Sequence, residues 1–205
     1  MKPSLHVIST GNQSLEKWLN ITANIHPYVD FIHIREKLWD VKKMDAAILG
    51  LLNAEVPPRK IILNNRPELT AAYGLGGVHF PENVPIHKSM EDKWLTGCSI
   101  HSQENAVKKE MDGADYLFFG HVFETKSKQD TPPRGLKSLT QVVNSVTCPV
   151  IAIGGISSQR VKDCVSHGAK GIAVMSGIYG AVQPIEKAKA YQKALKEEAL
   201  HEENI

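Results

Sequence analysis

A short apolar, β-branched run followed by a segment of helical character recurs eight times along this chain, and few folds accommodate that alternation. The runs occupy residues 5–9, 29–35, 60–64, 77–80, 98–101, 115–120, 149–154 and 171–175. The fourth and fifth are the weakest. The last two are nearly all apolar, as strands covered on both faces of a parallel sheet must be. Met44, Ile48, Leu51 and Leu52 form one helical stripe, and Val161, Cys164 and Val165 another. Ser157 and Ser158 offer N-caps to the second, and Gly168 suits its C-terminal stop. A final helix starts near Pro184 and carries Ile185, Ala188, Tyr191 and Leu195 on one side. Its charged tail, residues 197–205, is expected to fray. Strict alternation implies parallel strands joined by helical crossovers. Eight such units fit an α/β fold, the closed (β/α)8 TIM barrel, and 205 residues lie at the short end of its range. The competing doubly wound sheet would carry a glycine-rich first turn, which Thr10-Gly11-Asn12 is not. One barrel domain over residues 1–205 is the expectation.

Composition narrows the function classes. A formal net charge of +2 and 22% charged residues give no reason to expect a nucleic-acid partner or an anionic membrane surface. No apolar run approaches the roughly 18 residues of a membrane span. The opening residues lack the apolar stretch and cleavage site of a secretory signal. Three cysteines, Cys98, Cys148 and Cys164, lie far apart with no C-x-x-C pair, against both a disulfide framework and a structural zinc site. The expectation is a cytoplasmic, thiol-reduced protein.

In a barrel of this kind chemistry belongs where strands end and the following loops begin. The second strand runs into His33-Ile34-Arg35-Glu36-Lys37, where alternation would place His33, Arg35 and Lys37 on one side and bring two cations toward an anion. The third ends in Asn64-Asn65-Arg66. After the seventh and eighth strands, Gly154-Gly155 and Met175-Ser176-Gly177 put small residues just past apolar runs. Glycine lets a backbone approach a ligand closely, and exposed N–H groups there attract phosphate. Paired loops after strands seven and eight are a recurrent phosphate site in this fold, so a phosphorylated ligand is expected. His121 directly follows the sixth apolar run. Imidazole titrates near neutral pH, which suits a base that must also return a proton. His101, after the fifth run, ranks second. His6, His33 and His79 fall within strands and are expected to be packed or hydrogen-bonded. His26, His87, His167 and His201 are expected at the surface. No H-E-x-x-H or His/carboxylate cluster suggests a metal.

Seven short motifs occur in the order seen in thiamin phosphate synthases, and through them the chain resembles that superfamily. They are Arg35-Glu36-Lys37, Leu63-Asn64-Asn65-Arg66, Gly77-Val78-His79, Ser99-Ile100-His101, Gly113-Ala114-Asp115-Tyr116, Ala152-Ile153-Gly154-Gly155-Ile156 and Ala173-Val174-Met175-Ser176. The resemblance implies a (β/α)8 barrel and a thiamin-pathway ligand. It also exposes departures. Asn65 stands where the synthases carry a magnesium-binding aspartate, and Phe80-Pro81-Glu82-Asn83-Val84-Pro85 replaces a stretch with a second acidic ligand. A hard divalent cation needs anionic oxygens. His33 replaces a usual glutamine, and His121 a usual proline.

His121 followed by Phe123-Glu124-Thr125 resembles the thiazole tautomerase branch of the superfamily instead. That resemblance implies an isomerase that converts an ylidene carboxythiazole phosphate to its aromatic tautomer by a histidine-mediated proton shift, without metal or cofactor. Glu124 is a candidate to orient the imidazole. Gly155, Met175 and Ser176 match residues around the thiazole phosphate in the synthases. Gly154 and Gly177 join them from the loop chemistry. Arg35, Lys37, Asn64 and Ser99 match the synthases' other substrate pocket and are reassigned to the carboxylate and to ring positioning. Thr125 and Lys128 match a Thr-x-Thr-Lys loop, which keeps a magnesium-dependent synthase recruiting Glu82 as the alternative. A non-catalytic regulatory protein that binds a thiamin-pathway phosphate is the second alternative. The implied partner is a small thiazole phosphate, with a homodimer left open.

Overall fold

The computed structural model of the protein describes residues 2–86, 93–125 and 128–202, the side chains of 201 and 202 excepted. Eight parallel strands close into a barrel in sequence order. They are β1 (Ser4–Ile8), β2 (Phe31–Ile34), β3 (Ile61–Asn64), β4 (Gly77–Phe80), β5 (Leu95–Ile100), β6 (Tyr116–Gly120), β7 (Val150–Ile153) and β8 (Gly171–Val174). The ring closes where β8 returns to β1, Gly171 lying opposite Ser4 and Val174 opposite Val7. Helices α1 (Leu15–Ile25), α2 (Val41–Asn53), α3 (Pro67–Ala72), α4 (Gln103–Met111), α5 (Gly135–Val143), α6 (Val161–Ser166), α7 (Ser176–Tyr179) and α8 (Pro184–Glu202), with 3-10 turns at His26–Tyr28, Pro58–Lys60 and Ser158–Arg160, complete the described elements. No helix among the described residues is long and apolar enough to cross a membrane.

The eight-unit barrel expected from the alternation is therefore what the chain forms, with local differences. β5 starts at Leu95, three residues before the apolar run suggested, because Leu95 and Thr96 pair with Gly77 and Val78 of β4. β2 is shorter than residues 29–35. The chain leaves the sheet after Ile34, so period-two alternation no longer governs Arg35 to Lys37. Ser157 and Ser158 make no capping hydrogen bond; a 3-10 turn at Ser158–Arg160 intervenes and α6 starts behind it. Gly168, at φ +90°, does follow the end of α6. Side-chain caps form instead at Ser14, Asp40 and Ser102, which accept from the backbone N–H of Lys17, Lys43 and Asn105. The stretch expected to fray stays helical through Glu202, with a Lys193–Glu197 pair one turn apart on its surface. His87, the His201 side chain and residues 203–205 lie outside the described residues.

Alternation along the strands separates two apolar layers. Val7, Ile34, Leu63, Phe119 and Ala152 face the helices and join one continuous cluster with residues such as Trp18, Ile48 and Val161. Ile8, Tyr116, Phe118, Ile151 and Ala173 point into the barrel. Each aliphatic side chain fully removed from water contributes roughly 1.5–3 kcal/mol, so the outer layer holds most of the fold's hydrophobic stabilisation.

The inside of the barrel is less ordinary, because three imidazoles share it. His6, His33 and His79 are 3%, 2% and 3% exposed. His6 Nδ1 lies 2.9 Å from His33 Nε2, and its Nε2 lies 2.9 Å from Ser4 Oγ. His79 bonds Tyr116 Oη through Nδ1 at 3.2 Å and Ser99 Oγ through Nε2 at 3.0 Å. Phe118 tilts against His79 at 4.3 Å and His33 at 4.9 Å. Gly97 leaves the room that Tyr116 fills, since a Cβ there would sit 2.0 Å from the phenol Cζ. The strand histidines are thus packed and hydrogen-bonded as expected. Burial, reinforced by His79, holds His6 down to about 3; burial, reinforced by Arg35, does the same to His79. His33 is pushed well below its ordinary value by burial and by its two histidine neighbours.

Candidate active site

Because β6, β7 and β8 are neighbours in register, the loops that follow them emerge side by side. His121 comes first past β6, and its ring is covered: only 4% of the residue is exposed. Its Nε2 is 3.1 Å from the carbonyl of Thr131. A carbonyl only accepts, so Nε2 carries the hydrogen and Nδ1 carries the lone pair. Nδ1 is buried with no hydrogen-bond partner among the described residues. The ring is therefore fixed as one tautomer with its basic nitrogen uncommitted. Glu124, the candidate orienting group, does not hold it: that side chain is exposed, and the orienting group is a backbone carbonyl ten residues beyond His121. Nothing in the sequence marks Thr131, because any residue can supply a carbonyl.

The loop that returns from Glu124 to Arg134 is tied back to the sheet. Arg134 donates from its backbone N–H to the His121 carbonyl at 2.9 Å and from Nε to the Gly120 carbonyl at 3.1 Å. Glu124, Thr125, Lys128, Gln129, Thr131, Pro132 and Pro133 line a cavity of about 570 Å³ under this loop.

Gly154 and Gly155 follow β7 with φ of +99° and +66°, values that favour glycine. A Cβ on Gly154 would sit 2.2 Å from Cβ of His121, and one on Gly155 would sit 2.2 Å from the carbonyl oxygen of Glu124. These glycines do more than make a turn, since they let the β7 loop lie directly against the histidine. Gly154→Ala is expected to push the imidazole off its Thr131 carbonyl and to cost on the order of 1–3 kcal/mol of stability from backbone strain and crowding. Comparing the thermal midpoint and the His121 ring resonances of the variant with the parent checks this; unshifted resonances would refute it.

Met175, Ser176 and Gly177 follow β8 and open the short helix α7, where backbone N–H groups have no carbonyl one turn earlier to bond. Two residues that sequence reasoning left unassigned brace this region. Tyr191 of α8 donates to the Ile156 carbonyl at 2.8 Å, and its hydroxyl is what a Cβ on Gly177 would meet at 2.7 Å. Arg160 bonds the Gly155 carbonyl at 2.9 Å and lies over the Phe123 ring at 4.6 Å, pinning the β6 loop to the β7 loop. The two loops expected to take a phosphate are thus braced together by Tyr191, and the β7 loop lies against His121.

The cation cluster expected after the second strand is only partly assembled. His33 is committed to the barrel interior, Arg35 is half-buried, and Lys37 is exposed in the turn. Between the two cations sits a residue to which the sequence assigns no role: Glu36 is buried and accepts from the backbone N–H of Gly11 at 3.1 Å. Asn64 donates to the His79 carbonyl at 3.2 Å, tying β3 to β4.

Past β5, His101 forms a compact unit with Glu82. The carboxylate accepts from the His101 backbone N–H at 2.7 Å, from its ring Nδ1 at 2.8 Å and from Asn105 Nδ2 at 2.8 Å. These hydrogen bonds hold the Glu82 carboxyl below its ordinary value against the opposing effect of burial. Lys128 donates to the other ring nitrogen, Nε2, at 3.1 Å. Both oxygens of Glu82 are thereby occupied. Asn65, at φ +54°, uses its backbone N–H on the His79 carbonyl and brings no charge. Among the described residues no three His, Cys, Asp or Glu side chains gather as metal ligands would. The donor set at the positions where the synthases hold magnesium does not fit that ion.

The sequence of the family described as TMP-TENI, thiamine monophosphate synthase, matches residues 5–178. The chain is 38% identical over 141 residues to a thiamine-phosphate synthase of Pyrococcus furiosus, covering 67% of this chain and 68% of that one. It is 36% identical over 181 residues to a putative thiamine-phosphate synthase 2 of Aquifex aeolicus, covering 85% and 96%. Among solved structures, a thiamine phosphate pyrophosphorylase from Pyrococcus furiosus superposes with a TM-score of 0.76 at 25% identity, over 95% of this chain and 96% of that one.

Proposed function

The chain belongs to the thiamine monophosphate synthase family, and from that premise we propose that it is the thiazole tautomerase of that family's chemistry, an isomerase acting on a carboxythiazole phosphate. One observation carries the reading: a buried imidazole at the end of β6 whose Nε2–H is spent on Thr131, leaving Nδ1 free to act as a base. In the reaction, the C–H bond at the ring carbon beside the carboxylate breaks and its proton goes to Nδ1. The electron pair shifts through the ring toward the exocyclic double bond, and the exocyclic carbon takes the proton back from the imidazolium. Atoms and charge balance without any co-reactant, and the gain of aromaticity supplies the driving force. The β7 and β8 loops hold the phosphate through Gly154, Gly155, Met175, Ser176 and Gly177. Arg35, Lys37, Asn64, Ser99 and Lys128 are assigned to the remainder of the ligand.

The names of the relatives favour the second reading, a thiamine-phosphate synthase. Against it stand Asn65 in place of an acidic ligand and a Glu82 whose oxygens are already occupied. The two readings separate in a pair of assays on the same preparation. Ultraviolet and proton NMR spectra would follow aromatisation of the ylidene carboxythiazole phosphate with chelator present. Formation of thiamin phosphate from the pyrimidine pyrophosphate and thiazole phosphate would be followed with magnesium. The tautomerase reading expects the first to run well above the blank and the second to stay at background. The opposite pattern would establish the synthase, and binding without either turnover would favour a regulatory phosphate-binding protein.

A further inference from the structure

Ser99 sits at the upper end of β5, half-buried, with the fully enclosed His79 and Tyr116 behind it. The three form a line: Tyr116 Oη to His79 Nδ1 at 3.2 Å, then His79 Nε2 to Ser99 Oγ at 3.0 Å. A neutral imidazole has one hydrogen, so the line runs in one of two directions. If Nδ1 carries it, the phenol becomes an acceptor and its own hydrogen is left in the barrel interior with no second acceptor among the described residues. If Nε2 carries it, the phenol donates to Nδ1, the ring donates to Ser99 Oγ, and both enclosed donors of the line are used. Burial drives the Tyr116 hydroxyl well above its ordinary value, so it keeps its hydrogen, and burial keeps the His79 ring neutral. The second direction leaves neither hydrogen of the Tyr116–His79 pair without an acceptor.

We propose that Tyr116 and His79 are positioning residues that fix the Ser99 hydroxyl as a hydrogen-bond donor facing the barrel mouth, where it recognises an anionic oxygen of the ligand. With its acceptor side taken by His79, the Ser99 hydrogen is left for the side that is not enclosed. A hydrogen bond to a charged acceptor is about twice as strong as one between neutral groups, so the arrangement discriminates for a carboxylate or phosphate oxygen. The identity of that oxygen as the carboxylate of a carboxythiazole phosphate rests on the reading proposed above; the phosphate is already provided for by the β7 and β8 loops. A serine free to rotate would donate or accept equally well and would not discriminate.

Two measurements test the inference. Long-range proton–nitrogen NMR on protein labelled in histidine reads the ring tautomer directly, and His79 is expected as the Nε2–H form. The Nδ1–H form would overturn the proposal, and this readout needs no ligand and no variant. Calorimetry then compares the aromatic carboxythiazole phosphate with the thiazole phosphate lacking the carboxylate. The parent is expected to prefer the carboxylated ligand. Ser99→Ala and Tyr116→Phe should each lower that preference about tenfold, and the double substitution should lose no more than Ser99→Ala alone. Losses that simply add, or a Tyr116→Phe variant with undiminished preference, would leave Tyr116 as packing only. A parent that shows the preference but never aromatises the ylidene would remove the tautomerase reading and leave this inference standing. Turnover with no preference for the carboxylated ligand would do the reverse.

Discussion

Replacing His121 by alanine is expected to slow aromatisation of the ylidene carboxythiazole phosphate about 10²- to 10⁴-fold, the usual contribution of a positioned acid–base group. That corresponds to roughly 3–5 kcal/mol of barrier. The loss should fall on kcat, because the ring is assigned to moving a proton and the phosphate loops are assigned to holding the ligand. Affinity for the aromatic product should therefore change far less than the rate. His121→Gln would be a stricter comparison, since an amide could still donate to the Thr131 carbonyl but has no basic nitrogen. It should be nearly as slow as alanine while keeping the loop seated. A glutamine variant that turned over at the parent's rate would show that the imidazole only braces the loop between Glu124 and Arg134. The base would then have to be sought elsewhere, first at His101, whose ring is fixed by Glu82 and capped by Lys128.

Legibility in the sequence followed the physics of each element. Strands covered on both faces announce themselves as apolar runs, and β7 and β8 could be read almost to the residue. β5 could not, because Gly97 and Thr96 break the run where the barrel needs space for Tyr116. Helices as short as α3 and α7 offer too few turns for a periodic stripe to form. At the site, positions fixed by strand ends were readable: His121 and the paired loops at Gly154 and Met175 lie where the barrel's geometry puts them. Partners fixed by tertiary contact were not. The carbonyl of Thr131 has no side-chain signature. Glu82 reads in the sequence as a substitute metal ligand, but its oxygens are held by residues 19 and 23 positions away, a pairing that only the fold makes. The line from Tyr116 through His79 to Ser99 joins three strands, and only the register of β4, β5 and β6 brings it together.

The buried histidines lead to the second large effect, a steep loss of stability in mild acid. In the unfolded chain an imidazole protonates near pH 6.5, whereas His6 and His79 in the folded protein resist until about 3, and His33 resists as well. Above pH 6.5 both states are neutral at these positions and pH has no leverage through them. As pH falls below 6.5 the unfolded chain binds protons that the folded barrel refuses, so stability drops. Three such groups give a limiting slope of about 4 kcal/mol per pH unit. Against a total of about 5–15 kcal/mol, the roughly 6 kcal/mol lost by pH 5 is a large share of the fold's stability. His26, lowered by partial burial and by Lys60, adds to the same window to a smaller extent. Glu82 and Glu110, whose carboxyls are held low by hydrogen bonds, contribute only once the pH falls below about 4.5. The interval from pH 6.5 to 5 therefore isolates the histidines. Urea unfolding at steps across it should show the free energy falling with a slope approaching three protons. His33→Gln, which keeps a hydrogen-bonding side chain and removes one titrating group, should reduce that slope by about one proton, a third of the effect. A free energy that stays level from pH 7 to 5, or an unchanged slope in His33→Gln, would mean that the barrel interior admits protons and that its histidines are not held neutral by burial.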